Sequence, residues 1–257
     1  MNRTLKFHLS LTYVFLYLPI VVLMVLSLNK AGLPTAWGGF TLDWYGKLLA
    51  NPKIQASALN SVFVATIATA IATVIGTLLA LGVERAKPSA TREALLFAPM
   101  IIPDIVLAIA LLSFFTLMKF SLGLHSIIMA HVVFNIAFVA AVVRARLKSF
   151  DWLLTEAARD LGATAITTFR TITLPLILPA VIAAALLSFT LSVDEFIIAY
   201  FTAGAGQSST TLPMQIYAMI RFGVTPEINA LATLVMFVSF IALFAAQRLN
   251  KGKIPGM

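Results

Sequence analysis

Six apolar runs constrain this chain more than any other feature: residues 9–28, 60–83, 94–118, 124–143, 178–201 and 229–247. A helix needs about 20 mostly apolar residues to cross a bilayer. The runs are continuously apolar rather than alternating, which predicts helices and not a β-barrel. The expected fold is therefore an all-α membrane protein with six transmembrane helices. Composition agrees, since 60% of the 257 residues are hydrophobic and 11% are charged, whereas a soluble domain carries about 25% charge. The net charge of +8 would otherwise suggest nucleic acid, but so few charges cannot coat a soluble surface. The chain has no cysteine, which excludes disulfides, zinc–thiolate sites, iron–sulfur clusters and thiol nucleophiles.

The first run follows Arg3 and Lys6 as a signal sequence would, but Ser27-Leu28-Asn29-Lys30 offers no small-residue cleavage site. An uncleaved first span is expected, with a cleaved signal as the alternative. Orientation follows from the lysines and arginines. With a cytosolic N-terminus, 13 lie inside: Arg3, Lys6, Arg85, Lys87, Arg92, Arg144, Arg146, Lys148, Arg159, Arg170, Arg248, Lys251 and Lys253. Five lie outside: Lys30, Lys47, Lys53, Lys119 and Arg221. Both termini are expected inside. Glu84, Glu93, Asp151, Glu156 and Asp160 share the inner side, so the whole excess of +8 falls there.

Two connections are long. Residues 29–59 lie outside and hold Trp37, Trp44 and Tyr45, which suit either interfacial anchoring or, for Trp44, a place on a substrate path. Residues 144–177 lie inside. In the second run Ala68, Ala72, Gly76 and Ala80 form one small-residue stripe, with Ala65, Thr69, Thr73 and Thr77 beside it. Such stripes let helix backbones approach closely in lipid, within one subunit or across a dimer. There is no internal repeat of the kind many secondary transporters carry.

The inner segment 149–175 predicts helix–turn–helix. Asp151 can cap a helix from Trp152 to Leu161, and Gly162 is placed to end it. Thr164 can cap a second short helix, and Pro175 closes the segment. Ala157, Ala158, Ala163 and Ala165 give a small surface near the bend, fit for docking into another protein or for lying on the bilayer. Glu156-Ala157-Ala158, then Gly162 after three residues, then Ile172, Leu174 and Pro175 resemble the EAA motif of ABC-importer permeases. That resemblance implies the type I importer permease fold over residues 1–257 as one transmembrane domain. It makes 149–175 a coupling loop on a cytosolic ATPase dimer, with Glu156, Ala157, Ala158, Gly162, Ala163, Phe169, Ile172, Leu174 and Pro175 as coupling residues.

Three further stretches resemble the second permease subunit of spermidine/putrescine importers within that family. They are Leu191-Ser192-Val193-Asp194-Glu195-Phe196; Thr211-Leu212-Pro213-Met214 with Arg221-Phe222-Gly223-Val224-Thr225-Pro226-Glu227-Ile228-Asn229-Ala230; and Phe40-Thr41-Leu42-Asp43-Trp44-Tyr45. The resemblance implies a bacterial inner-membrane location and three kinds of partner: an ATPase dimer, a second homologous six-span permease and a periplasmic polyamine-binding protein. ATP and magnesium would be bound by the ATPase, and no cofactor by this chain.

Within the six runs the only charged residues are Asp104, Asp194 and Glu195. Carboxylates at such depth are costly and normally face a cavity or a partner. Asp104 is expected near the middle of the third span, and Asp194 roughly 7 Å outward of the middle of the fifth, at 1.5 Å rise per residue. They could attract the ammonium groups of an extended cation, with Ser192 and Trp44 on the same path. They could equally bond backbone or a partner's basic residue. Pro99 and Pro103 predict a kink or break in this half of the third span. Ser188 can line the path or bond its own helix. His131 and Asn135, one turn apart, suit a bridge between helices better than a metal site. Arg221 and Glu227 suit a local pair or part of an outer gate.

No G-x-x-x-x-G-K-[ST] loop is present, so the chain has no ATPase site of that kind. H-E-x-x-H and G-x-S-x-G are also missing. Energy must come from another subunit or an ion gradient. The latter is the alternative reading, a proton-coupled secondary transporter with Asp104 or Asp194 as proton carrier.

Overall fold

The structure, a computed structural model, describes residues 3–32, 36–221 and 223–251, the stretch 241–251 as backbone alone. Phe222 and Lys253 lie outside the described residues, as do the side chains of Arg248 and Lys251. The described residues are helical, without a strand; an isolated bridge pairs Asn29 with Phe40. In order the helices are α1 (Arg3–Leu26), α2 (Asp43–Ala50), α3 (Pro52–Arg85), α4 (Ala90–Ile101), α5 (Asp104–Leu117) and α6 (Leu124–Leu147). There follow α7 (Leu153–Asp160), α8 (Ala165–Thr168), α9 (Leu174–Asp194), α10 (Ile197–Thr202), α11 (Leu212–Ile220) and α12 (Pro226–Lys251).

Four helical stretches are long and apolar enough to cross a membrane singly: Arg3–Leu26, Pro52–Arg85, Leu124–Leu147 and Ala165–Asp194. The pair α4 and α5 qualifies together, and α12 is apolar over Pro226–Phe240. Each apolar run therefore falls on helix, and the chain is a multi-pass membrane protein.

The break expected at Pro99 and Pro103 is present, since α4 and α5 meet at a 103° bend. Pro103 has no N–H to donate and forces Ile102 into extended backbone (φ −69°, ψ 132°). Asp104 therefore begins α5, directly after the break between the two helices. The fifth run also breaks, at Glu195 (φ −68°, ψ 118°), where its side chain replaces a helical acceptor and takes the N–H of Ile198 at 2.9 Å. Pro175, against expectation, does not close the 149–175 segment. A π-turn over Phe169–Thr173 joins α8 to α9, with the Leu174 N–H donating to the Phe169 carbonyl. Pro175 sits in the first turn of α9, where a missing N–H is tolerated.

The chain forms two compact units, Met1–Gln55 with Ile216–Met257, and Ala56–Gln215. In the first, α1 and α2 both pack on α12. α1 buries none of its side chains, as suits a helix bathed in lipid. Buried Asn29 organises the loop after α1. Its Nδ2 donates to the Ala36 carbonyl at 2.8 Å, and its Oδ1 accepts from Gly38 at 2.9 Å and Ala31 at 3.1 Å. Arg221 and Glu227 make no ion pair among the described residues.

In the second unit α6 is central. Ala65, Ala68, Ala72 and Ala80 of α3 are fully buried, and a Cβ built on Gly76 would stand 2.8 Å from Val139 of α6. The small-residue stripe is thus an intrachain contact with α6. Ala80 and Leu81 meet Val139, Ala140, Val143 and Leu147 of α6 and Ile177 and Ala184 of α9 in one cluster. A second cluster joins Leu107, Ala108 and Phe115 of α5 to Ala130 and Phe134 of α6 and Ile198 of α10. Polar bonds cross the same interior. Thr69 of α3 and Ser188 of α9 are 3.3 Å apart, and His131 of α6 reaches Ser192 of α9.

Candidate substrate path and coupling surface

The two helix breaks place acidic residues together. α10 packs on α5, through Ile198 against Leu107 and Ala108. This brings Glu195, which caps α10, toward Asp104 in the first turn of α5. The two carboxylates are close enough to act on one another as like charges. Asp104 is exposed, Glu195 half-buried and Asp194, the last residue of α9, exposed. A carboxylate at a helix N-terminus is favoured by the peptide dipoles, so Asp104 is held where negative charge is least costly. Exposed carboxylates in an otherwise uncharged region attract cations.

Ser192 stands differently. It is buried, with its hydroxyl 2.7 Å from His131 Nδ1, so it ties α9 to α6 just before the break. Ser188 is likewise turned inward, to Thr69. Trp44 belongs to the other unit. Its Nε1 donates to the Asn29 carbonyl at 2.9 Å, and Lys47 Nζ lies 4.4 Å over its ring. The indole is thus anchored in the loop, and a cation of this chain already covers it.

Sequence reasoning missed two aromatics. Phe196, directly after Glu195, lies 5.4 Å from the Tyr200 ring, and Tyr200 is half exposed. Aromatic faces attract ammonium groups. The signal was present, since the two rings are four residues apart and follow the acidic pair.

In the 149–175 segment, Asp151 Oδ1 accepts from the Leu153 N–H at 3.0 Å and starts α7. The helix ends as a left-handed glycine requires. Gly162 has φ +85°, its N–H donates to the Arg159 carbonyl at 2.9 Å, and the Ala163 N–H donates to Ala158 at 3.0 Å. The Thr164 hydroxyl accepts from Thr167 at 3.2 Å and starts α8. The segment is held to the helix bundle by Trp152. Its ring meets Phe150 edge-on at 4.8 Å, and the Arg85 guanidinium lies 4.8 Å over it.

The motif residues divide in two. Glu156, Ala157 and Gly162 are exposed, and Ala158 and Ala163 are half-buried beside them. Phe169, Ile172 and Leu174 are half-buried, with Phe169 packed on the α3–α6–α9 cluster, and Pro175 is exposed. Four exposed apolar side chains went unrecognised: Leu153, Leu154, Leu161 at 90% exposure and Ile166. Apolar residues flanking a capped, charged helix are the sign that could have found them. Among the described residues no cluster of three or more His, Asp or Glu could hold a metal ion.

A bundle of apolar helices that breaks at acidic residues, and that presents a capped loop helix with exposed leucines, has the build of a membrane-spanning transport subunit. Residues 72–254 match the binding-protein-dependent transport system inner membrane components, and the chain belongs to that family. It is 41% identical over 248 residues to the spermidine/putrescine transport system permease protein PotC of Escherichia coli strain K12, covering 95% of this chain and 92% of that one. It is 39% identical over 259 residues to the putrescine transport system permease protein PotI of the same strain, covering 96% and 92%. Its fold is similar to that of a bacterial ABC transporter involved in the import of the acidic polysaccharide alginate. There the TM-score is 0.76 at 14% identity, over 98% of this chain and 96% of that one.

Proposed function

We propose that the chain is one permease subunit of an ATP-driven importer that moves polyamines across the bacterial inner membrane by alternating access. The observation that carries this reading is the identity to two polyamine permeases over nearly the whole chain. The acidic residues at the two helix breaks have the sign a polycation needs. In this reading Asp104, Asp194 and Glu195 receive successive ammonium groups. Ser192 holds the break from behind, and Trp44 anchors the outer loop after α1. The chain crosses the membrane six times with both ends in the cytosol, in keeping with its basic residues.

The 149–175 segment docks on a cytosolic ATPase dimer through Glu156, Ala157, Ala158, Gly162 and Ala163. Phe169, Ile172, Leu174 and Pro175 connect that surface to α9. ATP and magnesium belong to the ATPase. The remaining partners are a second, homologous permease and a periplasmic polyamine-binding protein.

The test is uptake by the reconstituted transporter with a panel of polyamines, amino acids and sugars. Saturable uptake of spermidine or putrescine that requires ATP supports the reading. Preference for another solute overturns the substrate, and uptake driven by a proton gradient without ATP overturns the mechanism.

A further inference from the structure

α3 ends in two adjacent charged residues that engage different parts of the second unit. Glu84 Oε2 accepts from Arg144 Nε of α6 at 3.2 Å. Arg144 also reaches across to α4, its Nη2 donating to Glu93 Oε1 at 3.0 Å, with its guanidinium 5.5 Å from the Phe97 ring. The Arg144 side chain is only 12% exposed and that of Glu84 20%, so solvent screens this pair little. Arg85, the next residue, instead stacks on Trp152 at the start of α7. The end of α3 therefore touches the loop helix through Arg85 and holds Arg144 of α6 through Glu84, and Arg144 in turn holds α4 through Glu93.

α4 has no covalent route to α7 shorter than the whole hairpin of α5 and α6. It is also the arm whose far end is the 103° bend before Asp104. α4 is 12 residues long with Pro99 inside it, and it connects the Glu93 contact in its first turn to that bend.

We infer that Glu84 and Arg85 form a junction that carries movement of α7 to the broken helix pair bearing Asp104, with Arg144 as the link to α4. The role rests on the importer reading above, in which α7 is the part an ATPase moves. Arg85, Trp152, Glu84, Arg144 and Glu93 are positioning residues, since none of them meets substrate.

The test measures polyamine uptake and ATP hydrolysis on the same proteoliposomes of the assembled transporter. Arg85→Gln and Trp152→Ala should each lower polyamine delivered per ATP about fivefold or more, the range of ordinary site-to-site coupling. Trp152→Phe keeps an aromatic face and should retain most of the ratio. The double variant Arg85→Gln/Trp152→Ala should be no worse than either single one, because both delete one contact. Arg85 is exposed, so Arg85→Gln keeps the fold, and its ratio decides if Trp152→Ala fails to accumulate. An unchanged ratio in Arg85→Gln overturns the junction, whether uptake is normal or falls in step with hydrolysis. Failure of the unaltered transporter to move polyamine would instead overturn the substrate reading. The ratio is then read with the solute it does move.

Discussion

His131 and Ser192 share a 2.7 Å hydrogen bond in the interior between α6 and α9. His131 is 1% exposed and Ser192 3%, so neither is paired with bulk solvent. The bond lies two residues before α9 ends at Asp194, and it fixes the point from which the acidic break departs. His131 Nε2 and the Asn135 amide, one turn further along α6, are buried without a hydrogen-bond partner among the described residues.

Ser192→Ala would leave the second imidazole nitrogen unpaired as well. Hydrogen bonds between membrane helices contribute about 0.6 kcal/mol on average and up to about 1.7. A loss of about 1 kcal/mol corresponds to a fall of roughly 2–4 °C in melting temperature for a chain of this size. Thermal unfolding of the purified protein in detergent measures it, and an unshifted transition would show that the bond holds nothing.

Asp194→Asn, Asp104→Asn and Glu195→Gln separate electrostatics from structure. The first two carboxylates are exposed and make no ion pair among the described residues. Asp194→Asn should cut polyamine uptake about tenfold or more, equivalent to about 1.4 kcal/mol of lost cation binding, with normal abundance in the membrane. Asp104→Asn should lower uptake in the same way. Glu195→Gln keeps an acceptor for Ile198, so α10 should survive while uptake falls. Normal uptake by the Asp194 variant would remove that residue from the path.

Gly76 tests the close approach of α3 to α6. An added Cβ would lie 2.8 Å from both Cβ and Cγ1 of Val139 and 2.9 Å from the Ile136 carbonyl oxygen. Gly76→Ala should cost about 1–3 kcal/mol by overpacking, and Gly76→Leu more. Gly82, with nothing near its Cβ position, should accept alanine readily. Membrane abundance and melting temperature of the three variants give the comparison.

Gly162 and Leu161 test the loop helix. No atom crowds Gly162, so its requirement is the positive φ alone. Gly162→Ala should cost about 1–2 kcal/mol locally and reduce uptake, whereas Gly162→Asn should retain more. Leu161→Asp should leave the fold intact, because the side chain is 90% exposed, yet abolish co-purification of the ATPase. Retained ATPase in that variant would place docking elsewhere.

Much of the fold was legible because lipid imposes one rule, that each span be a long apolar helix. The stripe of Ala68, Ala72, Gly76 and Ala80 was legible for the same reason, since small residues at helical spacing mark a close helix contact. The caps at Asp151, Gly162 and Thr164 were readable from local chemistry. Pro103 announced a break, but neither its angle nor the position of Asp104 at a helix start follows from a proline alone. The break at Glu195 carried no breaker residue at all, because it depends on a side chain turning to cap its own backbone. Pro175 was misread for a related reason: a proline stops a helix that precedes it and equally begins one that follows.

The linear sequence by itself determined the helical membrane class, the small-residue contact face, the capped loop helix and the scarcity of buried charge. All of these rest on composition and short-range periodicity. Only the tertiary structure decided that α10 packs on α5 and brings Glu195 toward Asp104, that Ser192 turns inward to His131, and that adjacent Glu84 and Arg85 serve α6 and α7 separately. Those pairings join residues far apart in the chain. They depend on how α5, α6, α9 and α10 pack, which no local pattern specifies.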